Sequence, residues 1–190
     1  GIRDDLVTGV QTCALPISIK AIEDLATSSN FRKRELIVKK GLHNNEEYFV
    51  LDGIVRSYIL NPQGEEVTIS FFCSNSVLTP HVARNKEGRS QLFFQALTNV
   101  KLAVVDAKNF EILRSKNEEV RNFAFRVLQN ELLMKVSKEI GLSSFTARER
   151  LKIFRSEFPN LENLIPHPYI ASYLGITNIS LSRLRNEIRD

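Results

Sequence analysis

Every run with strand character lies between residues 31 and 106, and the longest helical pattern opens only at Asn117. Strands gathered first and helices gathered afterwards make an α+β chain. Within the strand block, Gly41, Gly53 and Gly64 fall at near-regular intervals, as turns do in an all-β roll or barrel. Tyr48-Phe-Val-Leu51 and Ile54–Leu60 read as strands. Asn61-Pro-Gln-Gly64 reads as a turn, with proline second and glycine fourth. Val67-Thr-Ile-Ser-Phe71 alternates strictly, so one of its faces is buried. Leu92–Ala96 and Val100–Val105 supply two more strands. Upstream, residues 18–30 read as a short helix with Ile19, Ile22 and Leu25 on its apolar side.

The helical pattern from Asn117 is expected to reach about Leu142. Asn117 can cap it, and Glu118 and Glu119 suit the first turn, where the helix dipole favours acid. It carries two apolar stripes. Val120, Phe123, Val127 and Met134 follow heptad spacing, interrupted by Asn130 and Ser137. Phe125, Leu128, Leu132, Val136 and Ile140 form the other. A helix with two stripes is covered from two sides, by its own roll and a second copy, or wholly within a monomer. Val120, Phe123, Val127, Asn130 and Met134 form the expected dimer seam, in which a polar residue such as Asn130 can fix register.

Thr146-Ala-Arg-Glu149 is a capping box. Leu151, Ile153, Phe154 and Phe158 are the apolar residues of the helix it opens, Pro159 ends that helix, and a hinge is expected near Gly141–Ser144. Residues 165–190 then divide into a short helix, a tight turn and a second helix. Pro168 suits a first helical turn, and Ile170, Ala171 and Leu174 share one face. Gly175 ends that helix, and Thr177 caps the next. In the last helix Leu181, Leu184 and Ile188 make the buried stripe. Ile179, Ser182, Arg183 and Asn186 lie opposite, flanked by Arg185 and Arg189. Two helices about a glycine turn, the second presenting Arg, Asn and Ser, form the helix-turn-helix pattern of DNA readers, or else a terminal hairpin that only packs.

The chain has 190 residues, 43% hydrophobic and 25% charged, which is ordinary globular composition with length enough for one large or two small domains. The net charge of +4 is compatible with nucleic acid. No apolar run approaches the roughly 20 residues of a membrane span. Cys13 and Cys73 are the only cysteines, so a disulfide framework is not expected and a cytoplasmic setting is. His43, His81 and His167 show no metal-site spacing, an iron–sulfur cluster needs about four thiolates, and no catalytic grouping stands out. An enzyme is therefore not expected, nor a metal. Residues 1–18, with Asp5-Leu-Val-Thr-Gly-Val-Gln-Thr-Cys-Ala-Leu-Pro-Ile17, fit no helix, strand or signal peptide and resemble translated sequencing-adapter DNA. They read as a non-native leader, with the natural N-terminus missing.

Ile170-Ala-Ser-Tyr-Leu-Gly-Ile-Thr177 with Leu181-Ser-Arg-Leu-Arg185 resembles the helix-turn-helix of the Crp/Fnr transcriptional regulators. Tyr48-Phe-Val-Leu-Asp-Gly-Ile-Val-Arg56, the Gly64-Glu-Glu-Val-Thr68 return and Gln95-Ala-Leu97 resemble the cyclic-nucleotide-binding β-roll of the same family. Glu149–Arg155 and Phe158-Pro159 resemble the first helix of its DNA-binding domain. The resemblance implies a double-stranded β-roll over 19–116, a dimerisation helix over 117–142, and a winged-helix-like helix-turn-helix over 143–190. It implies double-stranded DNA, a second copy of the chain and RNA polymerase as partners, and no membrane. The residues it points to for DNA are Thr177, Asn178, Ile179, Ser180, Ser182, Arg183, Arg185, Asn186 and Arg189.

Relatives that bind cyclic AMP hold its phosphate on a short helix that begins Gly-Glu, with an Arg-Ser pair nearby. The matching stretch here, Phe71–Pro80, has neither glycine nor glutamate, and Arg89-Ser90 is one residue out of register. An effector pocket, if retained, would draw on Cys73, Ser74, Asn75, Ser76, Arg89 and Ser90. No cofactor is expected, and cyclic nucleotide is disfavoured. The rivals are a cyclic-AMP-responsive regulator with a divergent pocket and a non-DNA module that binds a small molecule or a protein. Relatives often carry Pro-Glu or Arg-Glu where this chain has Asn178-Ile179. Glutamate accepts from cytosine, whereas isoleucine can touch only a thymine methyl, so the operator of relatives does not transfer.

Overall fold

The computed structural model describes residues 20–78 and 80–187. The expected leader with Cys13, and the terminal Ile188 and Arg189, lie outside the described residues. The described residues gather into two compact units, one of 20–59 with 69–129, the other of 60–68 with 130–187. The division falls inside the long helix, between Gln129 and Asn130.

The first unit is built on two four-stranded antiparallel sheets. One has the order β1 (Thr27–Phe31), β8 (Val100–Asp106), β3 (Glu46–Asp52), β6 (Val77–Leu78). The other has the order β2 (Leu36–Val38), β7 (Phe93–Ala96), β4 (Val55–Leu60), β5 (Glu66–Phe72). A short 3-10 turn covers Pro80–Ala83. The five strands expected from alternation are all present, and β1, β2 and β6 are additional. Residues 18–30 are not one helix. Helix α1 is only Lys20–Glu23, and Thr27–Phe31 pairs with β8 from Thr27↔Val104 to Phe31↔Val100. The partner strand supplies the ladder that Thr27-Ser-Ser-Asn-Phe31 has too few apolar residues to demand by itself.

Alternation sorts the side chains of β3 to two cores. Tyr48 and Val50 point between the sheets, with Val55, Phe72, Leu78, Phe94, Ala96 and Leu102. Phe49 points outward and packs with Ala103, Val105, Val120, Phe123 and Val127. Gly53 turns β3 into β4 at φ +95°, and a Cβ there would lie 2.4 Å from the Asn99 carbonyl oxygen. Only glycine fits both the angle and the approach. Arg56 on β4 is fully buried, donating from Nε and Nη2 to Oε1 of Gln95, its cross-strand partner. The expected turn forms, with Gly64 N–H donating to the Asn61 carbonyl at 2.9 Å.

Two helices follow the sheets, α2 (Ala107–Lys116) and α3 (Glu118–Ser144). Asn117 caps α3 as expected, its Oδ1 accepting from Val120 N–H at 3.1 Å. The dimer-seam assignment needs correction. Val120, Phe123 and Val127 are buried in the outward core of their own unit, where Phe123 stacks on Phe49 at 6.3 Å between ring centroids. Asn130 is exposed and Met134 half-buried. The side left open is the opposite one: Phe125, Leu132, Leu133, Val136 and Ile140 are 45–65% exposed. The sheet face needs an apolar cover, and the stripe with the aromatic Phe123 supplies it.

In the second unit, α3 is followed by α4 (Ala147–Glu157), α5 (Leu161–Leu164), α6 (His167–Leu174) and α7 (Asn178–Glu187). Every element after β8 is helical among the described residues, so the wing of the expected winged-helix-like domain has no strands there. Lys138 on α3 lies over the Tyr173 ring at 3.9 Å. Burial, with the nearby Lys135 charge, holds its ammonium down at about 7 against the pull of Glu157.

Replacing Phe123 by alanine should lower the unfolding free energy by about 3–5 kcal/mol, the range for losing a large buried aromatic. Denaturant unfolding of the two proteins checks this.

Candidate nucleic-acid interface

The geometry of α7 begins at α4. The predicted capping box forms, Thr146 Oγ1 accepting from Glu149 N–H while the Glu149 carboxylate accepts from Thr146 N–H. Leu151 and Phe154 then turn inward, and Phe154, Phe158 and Tyr173 make an aromatic triangle with centroids 5.4–6.2 Å apart. Leu161, Ile165, Ile170, Leu174 and Leu181 complete this core. The turn between α6 and α7 is made by Gly175 at φ +66°. Gly175 N–H donates to the Ser172 carbonyl and Ile176 N–H to that of Ala171, the double closure of a Schellman motif.

Burial of Leu181 sets the rotation of α7. At 100° per residue the side opposite Leu181 carries Ile179, Ser182, Arg183 and Asn186. All four are exposed, as is Asn178. Thr177 caps α7 as expected, and Ser180 joins it. Thr177 Oγ1 accepts from Ser180 N–H at 3.1 Å and lies 2.9 Å from the Ser180 hydroxyl, so both side chains close the helix N-terminus.

Arg185 also departs from expectation. Its Nε donates to Glu162, and its Nη1 lies 3.2 Å from His167 Nδ1. Arg155 donates to the same carboxylate at 2.7 and 3.1 Å. Glu162 is 9% exposed. Burial opposes its charge, but the hydrogen bonds and charges of Arg155 and Arg185 outweigh that and hold the carboxyl below its ordinary value. Arg185 is thus a strut joining α7 to α5. Sequence spacing could not show this, because the partner lies 23 residues upstream. Arg148 and Glu187 make a second link, from α4 to α7, at 3.0 Å. Arg189, the other expected phosphate contact, lies outside the described residues.

The six residues proposed for an effector pocket do not meet. The turn Cys73–Ser76 rests on one end of β3, where Asn75 N–H donates to the Val50 carbonyl and Ser74 reaches Asp52. Burial pushes the Cys73 thiol up. Arg89 and Ser90 sit at the other end. Arg89 donates to the Gly41 carbonyl at 2.9 Å, and Ser90, 2% exposed, donates to that of Leu92. At about 3.3 Å per residue, Glu46 to Asp52 separates them by roughly 20 Å. A group absent from the sequence reading lies nearer Arg89's end. Glu47, 6% exposed, pairs with Arg84 at 2.9 Å and His81 at 3.1 Å. These three line a cavity of about 280 Å³ with Phe49, Phe110 and Phe123, on the outer side of the sheet. Only the fold brings residues 47, 81 and 84 together, which is why spacing did not find them.

One unit is thus a double-stranded β-roll and the other a helical unit whose α6 and α7 meet at a glycine turn. Residues 28–117 match the family model of the cyclic nucleotide-binding domain. The anaerobic regulatory protein of Aggregatibacter actinomycetemcomitans is 24% identical over 80% of this chain and 63% of its own length. Electron transport regulator A of Shewanella oneidensis is 23% identical, over 91% and 75%. This chain therefore spans less than two thirds of the first of these relatives. Among solved structures, FixK2 from Bradyrhizobium japonicum superposes with a TM-score of 0.75 at 23% identity, covering 86% of this chain and 84% of that one. A CooA mutant from Carboxydothermus hydrogenoformans gives 0.71 at 21%, covering 90% and 78%. Residues 28–117 are thus a cyclic nucleotide-binding domain by family model, and the chain is similar in fold to regulators of the Crp/Fnr type. None of its helices among the described residues is long and apolar enough to cross a membrane.

Glu162→Gln should lower stability by about 1–3 kcal/mol at pH 7, the usual loss when a buried charged partner is removed. Because the folded carboxyl sits below its unfolded value of about 4.3, its contribution is complete above that value and is lost as pH falls through the lower, folded one. Unfolding curves of wild type and variant from pH 7 to 3 should converge at the acid end.

Proposed function

We propose that this protein is a dimeric DNA-binding transcriptional regulator of the Crp/Fnr type, reading a near-palindromic operator and acting in the cytoplasm without catalysis. The observation that carries the reading is the outward face of α7. Ser182, Arg183 and Asn186 stand exposed there, while Leu181 on the other side is fully buried. These side chains are donors and acceptors of the kind that read base edges in the major groove. The names of the relatives, an anaerobic regulatory protein, an electron transport regulator and a global nitrogen regulator, point the same way.

The second copy would sit on the open stripe of α3. Phe125, Leu132, Leu133, Val136 and Ile140 span one side of the helix, opposite Val120, Phe123 and Val127. An exposed apolar band of this length marks an association surface. Two such chains would present two α7 helices to half-sites about 34 Å apart, one turn of DNA. The roll is read as a sensor whose usual nucleotide contacts are gone. Phe71–Pro80 lacks the Gly-Glu pair, and Arg89 is tied to the Gly41 carbonyl.

Leu132→Glu, which puts a charge into the open stripe, should convert a dimer into a folded monomer in analytical ultracentrifugation at micromolar protein. A wild type that sediments as a monomer at high concentration would sink the dimer. Separately, wild type and Arg183→Ala should be used to select sites from random DNA. Losing Arg183 should cost about 1–3 kcal/mol and relax preference at one base pair per half-site. An unchanged motif would show that Arg183 reads nothing, and a wild type that selects no motif would favour a protein-binding module instead.

A further inference from the structure

Ile179 is the most exposed large apolar side chain among the described residues, at 67%. Phe125, Leu132 and Leu133, at 60–65%, lie along α3, where a second copy covers them in the reading above. Ile179 stands apart, one residue inside α7, with Asn178, Ser182, Arg183 and Asn186 as its exposed neighbours. A single exposed isoleucine needs no explanation on an idle surface. Here it occupies the reading face itself, at the end where the helix begins. Nor does helix propensity account for it, since a β-branched residue is a middling helix former.

We infer that Ile179 determines one base of the operator by packing on the 5-methyl group of a thymine; this rests on the DNA-binding reading above. The argument is one of chemical exclusion. Isoleucine has neither donor nor acceptor on its side chain. Pressed against a cytosine amino group, a guanine edge or an adenine edge, it would strip water from a polar atom and return nothing. The one apolar feature that bases display in the major groove is the thymine methyl. Ile179 and Arg183 are four residues apart, so their Cβ atoms lie about 5–6 Å from one another along one face. Base pairs rise about 3.4 Å each, so the two side chains fall one to two steps apart. Each half-site therefore carries a thymine within two base pairs of the guanine that Arg183 reads.

Deoxyuridine pairs as thymine does and lacks only the methyl, which makes it the probe. Thymines in the half-site selected by wild type are replaced one at a time, and binding is measured for wild type and Ile179→Ala. The exposure of Ile179 means that the variant folds, which circular dichroism checks. Wild type should lose about fourfold at one position per half-site, the value of one buried methyl or methylene group, and about sixteenfold with both half-sites replaced. Ile179→Ala should bind thymine and deoxyuridine sites equally. Two results overturn the inference while leaving DNA reading intact: wild type indifferent to every replacement, or Ile179→Ala retaining the same loss. A wild type that selects no motif overturns this inference together with the proposed function.

Discussion

The packing of Phe123 on Phe49 decides which side of the first turns of α3 is closed. A helix is rigid about its own axis, so burying Val120, Phe123 and Val127 on one side fixes which residues face the other way. That is why Phe125, on the same turns, stays open. Heptad spacing alone picks the stripe that the sheet covers. Both stripes are apolar and comparable in period, and what separates them is the sheet face waiting for a cover, with Ala103 and Val105 already pointing at it.

The same logic recurs on a smaller scale in α7. Leu181 anchors the helix, and Glu162 holds it through Arg185 while gripping α4 through Arg155. A carboxylate this buried is tolerable only because two guanidinium groups share it. The outward face of α7 is therefore held by charge as well as by packing. In the proposed reading, Ile179 and Arg183 would then be set by the DNA they meet and not by the packing of α7.

Much of this was legible in residue order. Strict alternation located β5, the Asn61–Gly64 turn formed as its residues demanded, and the caps at Asn117, Thr146 and Thr177 are all made. These are local effects whose partners lie within four residues. What was not legible needed distant partners. Thr27–Phe31 became a strand because β8 lay beside it, not because Thr-Ser-Ser-Asn prefers one. Arg185 looked like a free cation until the fold set it against Glu162. Residues 73–76 and 89–90 looked like one pocket until β3 separated them.

The pairing of Arg185 has a consequence for how binding would respond to electrolyte. A basic side chain contributes to the ionic-strength dependence of DNA affinity by displacing condensed counterions from a phosphate. A guanidinium already neutralised by Glu162 displaces few. The number of ions released per half-site should then fall short of the number of arginines in α7, with Arg183 counted and Arg185 not. A regulator held this way would draw more of its affinity from base contacts and less from the polyanion, and would discriminate better among sites as ionic strength rises.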